Sequence, residues 1–127
     1  MTTDHDAVRS VLAQYCHLCD DGRFEEWGEL FTDDAVFTVL GTTHEGRETI
    51  QAFIAAAMPP EARGRHLLSE PHVTISGDTA DVATDYAFVG RTAGGLAITS
   101  TGRYLDRLVR DDSTWRIASR EIVFLGD

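Results

Sequence analysis

The chain has 127 residues and carries 21 acidic side chains against 11 basic ones, for a formal net charge of −10. Every basic residue is an arginine, so chemistry that needs a lysine amine, such as Schiff-base formation or the P-loop mechanism, is excluded. The acidic balance also disfavours nucleic acid and anionic membranes as partners. A chain of this length buries roughly two-thirds of its unfolded surface around one core, so we expect a single domain over residues 1–127.

The N-terminus, Met1-Thr2-Thr3-Asp4, lacks the basic and apolar regions of a secretory signal. No apolar run approaches the roughly 18 residues that span a bilayer, so we expect a cytoplasmic protein. Cys16 and Cys19 form a CxxC near the end of a helical pattern, without a second pair of zinc ligands. This placement favours buried thiols over a metal or redox site.

Helical periodicity dominates the first half of the chain. The first helix ends at Gly22, and its apolar stripe consists of Val8, Val11, Leu12, Tyr15, Leu18 and Cys19. A second, short helix is predicted from Arg23 to Leu30 and a third from Arg47 to Ala57. Between them, Thr32-Asp33-Asp34 predicts a turn, and the segment from Ala35 to Leu40 predicts a strand.

From residue 64 onward the apolar period changes to two, which is typical of strands. Hairpin turn signals separate four predicted strands: His66 to Ile75, Ala80 to Thr92, Leu96 to Val109 and Thr114 to Leu125. Three helices followed by an antiparallel meander indicate an α+β fold. A strongly curved sheet in such a fold can wrap over the first helices and leave a cavity between the layers.

Two of the candidate functional residues are charged. Asp20 lies at the C-terminal end of the first helix, where the helix dipole disfavours negative charge, although a plain polar turn also accounts for it. Arg120 shares its strand face with apolar residues, so its guanidinium requires an anionic partner or ligand. Those apolar neighbours are Ala118, Ile122 and Phe124.

The other two candidates have ordinary structural explanations as well. Tyr15 fits a core aromatic whose hydroxyl lies at the boundary, and a lone strand histidine such as His66 is commonly structural. His66 and His72 resemble a metal-binding pair, but on a continuous strand they lie about 20 Å apart. They cannot share an ion unless Pro71 breaks the strand.

Six short blocks carry a resemblance to a known family. They are Tyr15-x4-Asp20-Asp21-Gly22, Trp27-x3-Phe31-Thr32-Asp33-Asp34-Ala35, Gly46-Arg47-Glu48-x-Ile50, Arg65-His66, Gly102-Arg103-Tyr104-x-Asp106 and Trp115-Arg116-Ile117-x2-Arg120. On these blocks the whole chain resembles the SnoaL-like branch of the nuclear-transport-factor-2-like (NTF2-like) superfamily. The resemblance implies a cone-shaped α+β barrel, with three N-terminal helices packed on a curved, mainly antiparallel sheet.

The resemblance also implies a chemistry. Asp20 with His66 is similar to the Asp–His dyad of the dehydratases and eliminating lyases of this branch, in which the histidine removes a carbon-bound proton and the aspartate orients it. Tyr15 and Arg120 fall where members of the branch carry active-site residues. In that role Tyr15 hydrogen-bonds a carbonyl or departing hydroxyl, and Arg120 stabilises developing negative charge. Neither a metal ion nor an organic cofactor is required.

Other activities of the branch remain open. The chain is also similar to polyketide cyclases, and to non-catalytic ligand-binding or accessory subunits. Ketosteroid isomerase is similar too, but its catalytic base falls on Val39, which cannot accept a proton. We expect a small apolar or polycyclic substrate and a homodimer or homotrimer. Candidates for the apolar pocket lining are Phe37, Phe53, Met58, Leu68 and Phe88.

Overall fold

Three helices form one layer of the fold. In a computed structural model that describes residues 3–126, they are α1 (Asp4–Asp20), α2 (Phe24–Gly28) and α3 (Arg47–Ala57), followed by a 3₁₀ turn (Pro60–Ala62). Met1, Thr2 and Asp127, which the single-domain prediction includes, lie outside the described residues. None of the helices in the described part of the chain is long and apolar enough to cross a membrane.

Seven strands form one curved sheet against these helices. They are β1 (Phe31–Val39), β2 (Thr42–Glu45), β3 (Arg65–Leu68), β4 (His72–Ser76), β5 (Thr79–Thr92), β6 (Gly95–Asp111) and β7 (Thr114–Phe124). Their order is β2-β1-β7-β6-β5-β3, and β4 pairs with β5 beyond β3. The β1–β7 pair is parallel and the other pairs are antiparallel, which confirms the predicted α+β class with a mainly antiparallel sheet.

The prediction of one strand from His66 to Ile75 is wrong. The segment is interrupted after Leu68, and its two halves, β3 and β4, pair separately with β5. Pro71 has no backbone N–H and cannot continue a ladder. The break does not bring the two histidines together, because His66 lies opposite Phe88 and His72 lies opposite Ala83, five positions apart along β5.

Three further differences concern the first half of the chain. The second helix ends at Gly28, two residues before the predicted end. The predicted turn at 32–34 lies within β1, where the pairing with β7 shifts register between Phe31 and Val36. Strand β2 has no counterpart in the prediction, since its sequence, Thr42–Glu45, offers no apolar alternation. Helix α3 has the predicted bounds.

The core lies between the helices and the concave face of the sheet. Its largest apolar side chains, Trp27, Phe31 and Phe37, are fully buried there. The outer face of the sheet leaves Leu67, Leu105 and Val123 partly exposed. An exposed apolar face of this kind agrees with a homodimer or homotrimer, which stays a prediction.

Candidate active site

Asp20 is placed by the way α1 ends. Gly22 adopts a left-handed backbone with φ of +72°, and the N–H of Arg23 donates to the carbonyl of Leu18 at 2.9 Å. This arrangement is a glycine-terminated helix end, which closes the helix just after Asp20. The carboxylate is consequently directed into the molecule, and its side chain is 3% exposed.

The Asp20 carboxylate binds His66 twice. Oδ2 accepts the backbone N–H of His66 at 2.8 Å, and Oδ1 lies 2.6 Å from Nδ1 of the imidazole. A carboxylate can only accept, so in the neutral imidazole the proton lies on Nδ1 and Nε2 carries the free lone pair. The side chain of His66 is 13% exposed, so the ring keeps limited access to solvent.

Arg120 is buried, and its carboxylate partner is Asp106 rather than Asp20. Its Nε and Nη2 donate to the two oxygens of Asp106, each at 2.6 Å, and the two side chains are 1% and 0% exposed. Its Cζ also lies 4.0 Å from the ring centroids of both Tyr15 and Tyr104. Burial opposes the charge, but the attraction of Asp106 raises the pKa of Arg120 above its ordinary value. The anionic partner that the sequence required is therefore Asp106.

Tyr15 packs against His66 on one side and against Tyr104 on the other. Its ring centroid lies 6.4 Å from that of His66 and 5.8 Å from that of Tyr104, each in an edge-on arrangement. Burial raises the pKa of Tyr15 well above its ordinary value, and the nearby Arg120 charge offsets this only in part. The phenol therefore stays protonated, as a hydrogen-bond donor requires.

A cavity of about 170 Å³ connects these side chains. Its polar lining consists of Tyr15, Cys19, His66, Tyr86, Ser100 and Tyr104, and its apolar lining of Ile54, Met58, Phe88 and Ile122. Two of the five predicted apolar lining residues, Met58 and Phe88, are present. Phe37 belongs to the closed core, while Phe53 and Leu68 pack against that core outside the cavity.

Tyr15 and His66 thus line a single cavity, and Asp20 supports His66 from behind. Arg120 is not among the lining residues, since Tyr15 and Tyr104 flank it on both sides. Besides Cys19, which was predicted only as a buried thiol, three polar lining residues were missed: Tyr86, Ser100 and Tyr104. The hydroxyls of Tyr86 and Ser100 lie 2.9 Å apart, and the rings of Tyr86 and Tyr104 stack at 4.5 Å. Alternation along β5 and β6 contained the signal, since these side chains occupy inward positions.

Within the described residues, one group has metal-ligand geometry: Cys19, Asp20 and His66 have ligand atoms within 4.8 Å of one another. Both oxygens of Asp20 are already occupied by His66. Burial, together with the negative charge of Asp20, raises the pKa of Cys19 to about 12. The donor set therefore fits a hydrogen-bonded pair better than a metal centre.

The two thiols give a direct test of how tightly this region is closed. Burial raises the pKa of Cys16, like that of Cys19, to about 12. Near pH 8, roughly 10³-fold less thiolate is present than for a free cysteine. We expect Ellman's reagent to modify the native protein at least ~100-fold more slowly than the urea-unfolded chain. Modification of the native thiols at the rate of free cysteine would contradict the buried arrangement.

Solved structures share this architecture. An Asp→Asn variant of a Mycobacterium tuberculosis protein of unknown function is 30% identical, with a TM-score of 0.88 over 93% of this chain and 69% of its own. An NTF2-like protein with a cystatin-like fold from Novosphingobium aromaticivorans is 27% identical, with a TM-score of 0.88 over 97% of this chain and 82% of its own. A candidate scytalone dehydratase from the same organism is 20% identical, with a TM-score of 0.79 over 93% of this chain and 81% of its own, and shares the fold.

A search of curated proteins finds no match to the sequence. The sequence profile of the SnoaL-like domain, in contrast, matches residues 1–121, which covers all three helices and most of the sheet. Together with the NTF2-like architecture of the solved structures, this match identifies the chain as a member of the SnoaL-like domain family.

Proposed function

We propose that the protein is a cofactor-independent lyase that removes a proton from carbon and expels water from a small ring-containing substrate. The observation that carries the proposal is the pair of hydrogen bonds that His66 donates to the Asp20 carboxylate, at 2.8 and 2.6 Å, at the wall of a cavity. The bonded carboxylate supports one tautomer and stabilises the imidazolium that forms on proton transfer.

The proposed reaction uses His66 as the base and Tyr15 as the hydrogen-bond donor. Nε2 of His66 takes the proton from the carbon next to a carbonyl, and the electron pair passes to the carbonyl oxygen as an enolate. The Tyr15 hydroxyl, kept protonated by burial, donates to that oxygen. The enolate then re-forms the carbonyl and expels the β-hydroxyl, to which the imidazolium returns the proton. A β-hydroxy ketone thereby becomes an enone and one water.

The role of Arg120 in this proposal differs from the one that the resemblance implies, which is to stabilise developing negative charge on the substrate. Its charge is already neutralised by Asp106, and it contacts the tyrosine rings rather than the cavity. We therefore assign it as a positioning residue, which fixes Tyr15 and Tyr104 through its two faces. The enolate oxygen would receive its hydrogen bond from tyrosine, a neutral donor.

The cavity volume limits the substrate. An apolar cavity of about 150 Å³ accommodates a benzene-sized molecule, so a cavity of about 170 Å³ has room for one ring of the substrate. Single-ring substrates are thus favoured over the polycyclic ones that the sequence left open.

The test uses cyclic β-hydroxy ketones with one ring, such as 3-hydroxycyclohexanone, in D₂O. Mass spectrometry follows deuterium entry at the carbon next to the carbonyl, and ultraviolet absorbance follows the enone. We expect both signals to rise above the uncatalysed rate. Thermal stabilisation by these ligands without deuterium entry or enone would contradict the lyase and indicate a non-catalytic binding protein.

A further inference from the structure

Strand pairing places His66, Phe88 and Ser100 in one row across three neighbouring strands. His66 on β3 lies opposite Phe88 on β5, and Phe88 lies opposite Ser100 on β6. All three residues line the cavity, so their side chains share the concave face of the sheet. Neighbouring strands lie about 4.8 Å apart, so the backbones of His66 and Ser100 are separated by about 10 Å. Ser100 therefore faces the cavity from the other side of Phe88.

Tyr86 reaches Ser100 from the neighbouring inward position of β5. It lies opposite Gly102, where a Cβ would come within 3.1 Å of Cε1 of the Tyr86 ring, so the glycine leaves room for that ring. The ring stacks on Tyr104 at 4.5 Å, and its hydroxyl lies 2.9 Å from Oγ of Ser100. The glycine and the stack thus hold two hydroxyls together at the cavity wall, and we call Tyr86 and Ser100 the hydroxyl pair.

The hydroxyl pair can act toward a ligand as a hydrogen-bond donor. Each hydroxyl carries one proton, and the bond between them uses only one of the two. Within the part of the chain that the structure describes, the Ser100 side chain has this one hydrogen bond. When Tyr86 donates in that bond, Ser100 keeps its own proton and can donate it to a ligand oxygen.

The cavity therefore has hydrogen-bonding groups at two places. Tyr15 and His66, whose ring centroids lie 6.4 Å apart, form the first, and the hydroxyl pair forms the second. The apolar ring of Phe88, 4.7 Å from the ring of His66, lies in the row between them. The proposed base and the donor to the carbonyl oxygen occupy the first place. The departing oxygen also develops negative charge, and it needs a donor of its own.

We propose that the hydroxyl pair binds the hydroxyl group that leaves the substrate, with Ser100 in direct contact and Tyr86 as the positioning residue. This inference rests on the proposed function, whose carbonyl oxygen lies against Tyr15. It assigns the residue that distinguishes a β-hydroxy ketone from the corresponding plain ketone. A ring without the hydroxyl group would leave the Ser100 donor without its ligand partner.

The role of Ser100 belongs to the second step of the reaction. When the C–O bond breaks, its electron pair goes to the departing oxygen. Ser100 donates a hydrogen bond to that oxygen, and the imidazolium of His66 supplies the proton that completes the water. The serine keeps its own proton throughout. Removal of the proton from carbon comes first and uses Tyr15 and His66, so the two steps should respond separately to the loss of Ser100.

The test follows both steps in one reaction. 3-Hydroxycyclohexanone is incubated in D₂O, mass spectrometry follows deuterium entry into the remaining substrate, and ultraviolet absorbance follows the enone. Ser100→Ala should lower enone formation by at least ~10-fold, while deuterium entry stays within a few-fold of the unmodified protein. Tyr86→Phe keeps the stacked ring and should lower the ratio of enone to deuterium entry by a smaller factor.

Ser119→Ala is the matched control. Ser119 lies opposite Arg107, whose side chain is exposed on the outer face of the sheet, so this variant removes a strand serine outside the cavity. It should leave both rates and their ratio unchanged. An unchanged ratio in Ser100→Ala, or an equal loss of both signals, would overturn the proposal.

A binding measurement keeps this proposal apart from the lyase. In His66→Gln, which lacks the proposed base, calorimetry compares 3-hydroxycyclohexanone with cyclohexanone. We expect the hydroxy ketone to bind about 3-fold more tightly or better, and adding Ser100→Ala should remove the difference. Equal affinity, or no binding of the hydroxy ketone, would overturn the site.

The two proposals can therefore fail independently. If the unmodified protein shows no turnover but the Ser100-dependent preference is present, the lyase is refuted and the site for a ligand hydroxyl is supported. If turnover is present but Ser100→Ala leaves the ratio of enone to deuterium entry unchanged, the lyase is supported and the role of the hydroxyl pair is refuted.

Discussion

Replacing Asp20 by asparagine should lower the rate of deuterium entry and water loss by roughly 10²–10⁴-fold. Asparagine has one oxygen where aspartate has two, so its NH₂ group must face either the backbone N–H or Nδ1 of His66. If it faces Nδ1, that nitrogen must accept and the proton moves to Nε2. Nε2, the proposed base, then carries a proton and has no free lone pair to accept the proton of the substrate.

His66→Gln should cause a loss of similar size, because it removes the proposed base. His72→Gln is the matched control: this histidine is exposed on β4, opposite Ala83, and away from the cavity. It should retain the full rate. Rates within a few-fold of the unmodified protein for Asp20→Asn or His66→Gln would refute the assignment, provided that circular dichroism shows the fold intact.

Removing Asp106 should have the largest effect on stability. In Asp106→Ala the guanidinium of Arg120 stays buried between two tyrosine rings without its counter-ion. Breaking a buried pair by removing one partner costs about 3–5 kcal/mol. Urea denaturation followed by circular dichroism measures this loss in the free energy of unfolding.

Two comparisons show whether burial causes the effect. Asp85 and Arg103 form a bidentate pair between β5 and β6 on the exposed face of the sheet, so Asp85→Ala should cost far less. The double variant Asp106→Leu/Arg120→Met replaces both charges by apolar side chains and should recover most of the stability. Equal losses for Asp106→Ala and Asp85→Ala would contradict the interpretation.

The double variant also tests the positioning role of Arg120. If Arg120 holds Tyr15 and Tyr104 in the positions that the reaction needs, the double variant should react more slowly than the unmodified protein, although its stability is close to normal. The conservative variant Arg120→Lys should also lose rate. An ammonium group cannot stack on two rings and bind a carboxylate with two donors at once. An unchanged rate in Asp106→Leu/Arg120→Met would limit the pair to a structural role.

Glycine and proline signals in the sequence predicted an element correctly where they marked both of its ends. Gly46 and the prolines after residue 58 delimit α3, and its predicted and observed bounds agree. The break between β3 and β4 was missed because Leu68 and Val73 keep the strand-like pattern on either side of it. Pro71 alone marked the break, and its place between two separate strands was not visible without their common pairing partner, β5.

The candidate site was predictable only in part, because its contacts are distant in sequence. Asp20 and His66 are 46 residues apart, and family resemblance rather than periodicity linked them. The sequence did predict that Arg120 needs an anionic partner, because its neighbours on the same strand face are apolar. The choice of Asp106 depends on the register of β6 with β7, which shifts between Arg107 and Leu108. Such an irregularity has no signature in the sequence.

The hydrogen bond from the His66 backbone to Asp20 has an evolutionary consequence. Strand β3 has a ladder partner on one side, β5, and the carboxylate accepts the N–H that points to the other side. Asp20 thus ties the end of α1 to a sheet edge whatever happens at the imidazole. A descendant that lost the chemistry would keep the aspartate under selection for folding, while the histidine ring would be free to drift. Family members that retain the aspartate without the histidine are therefore expected to keep the fold and to lack the proposed His66-dependent lyase activity.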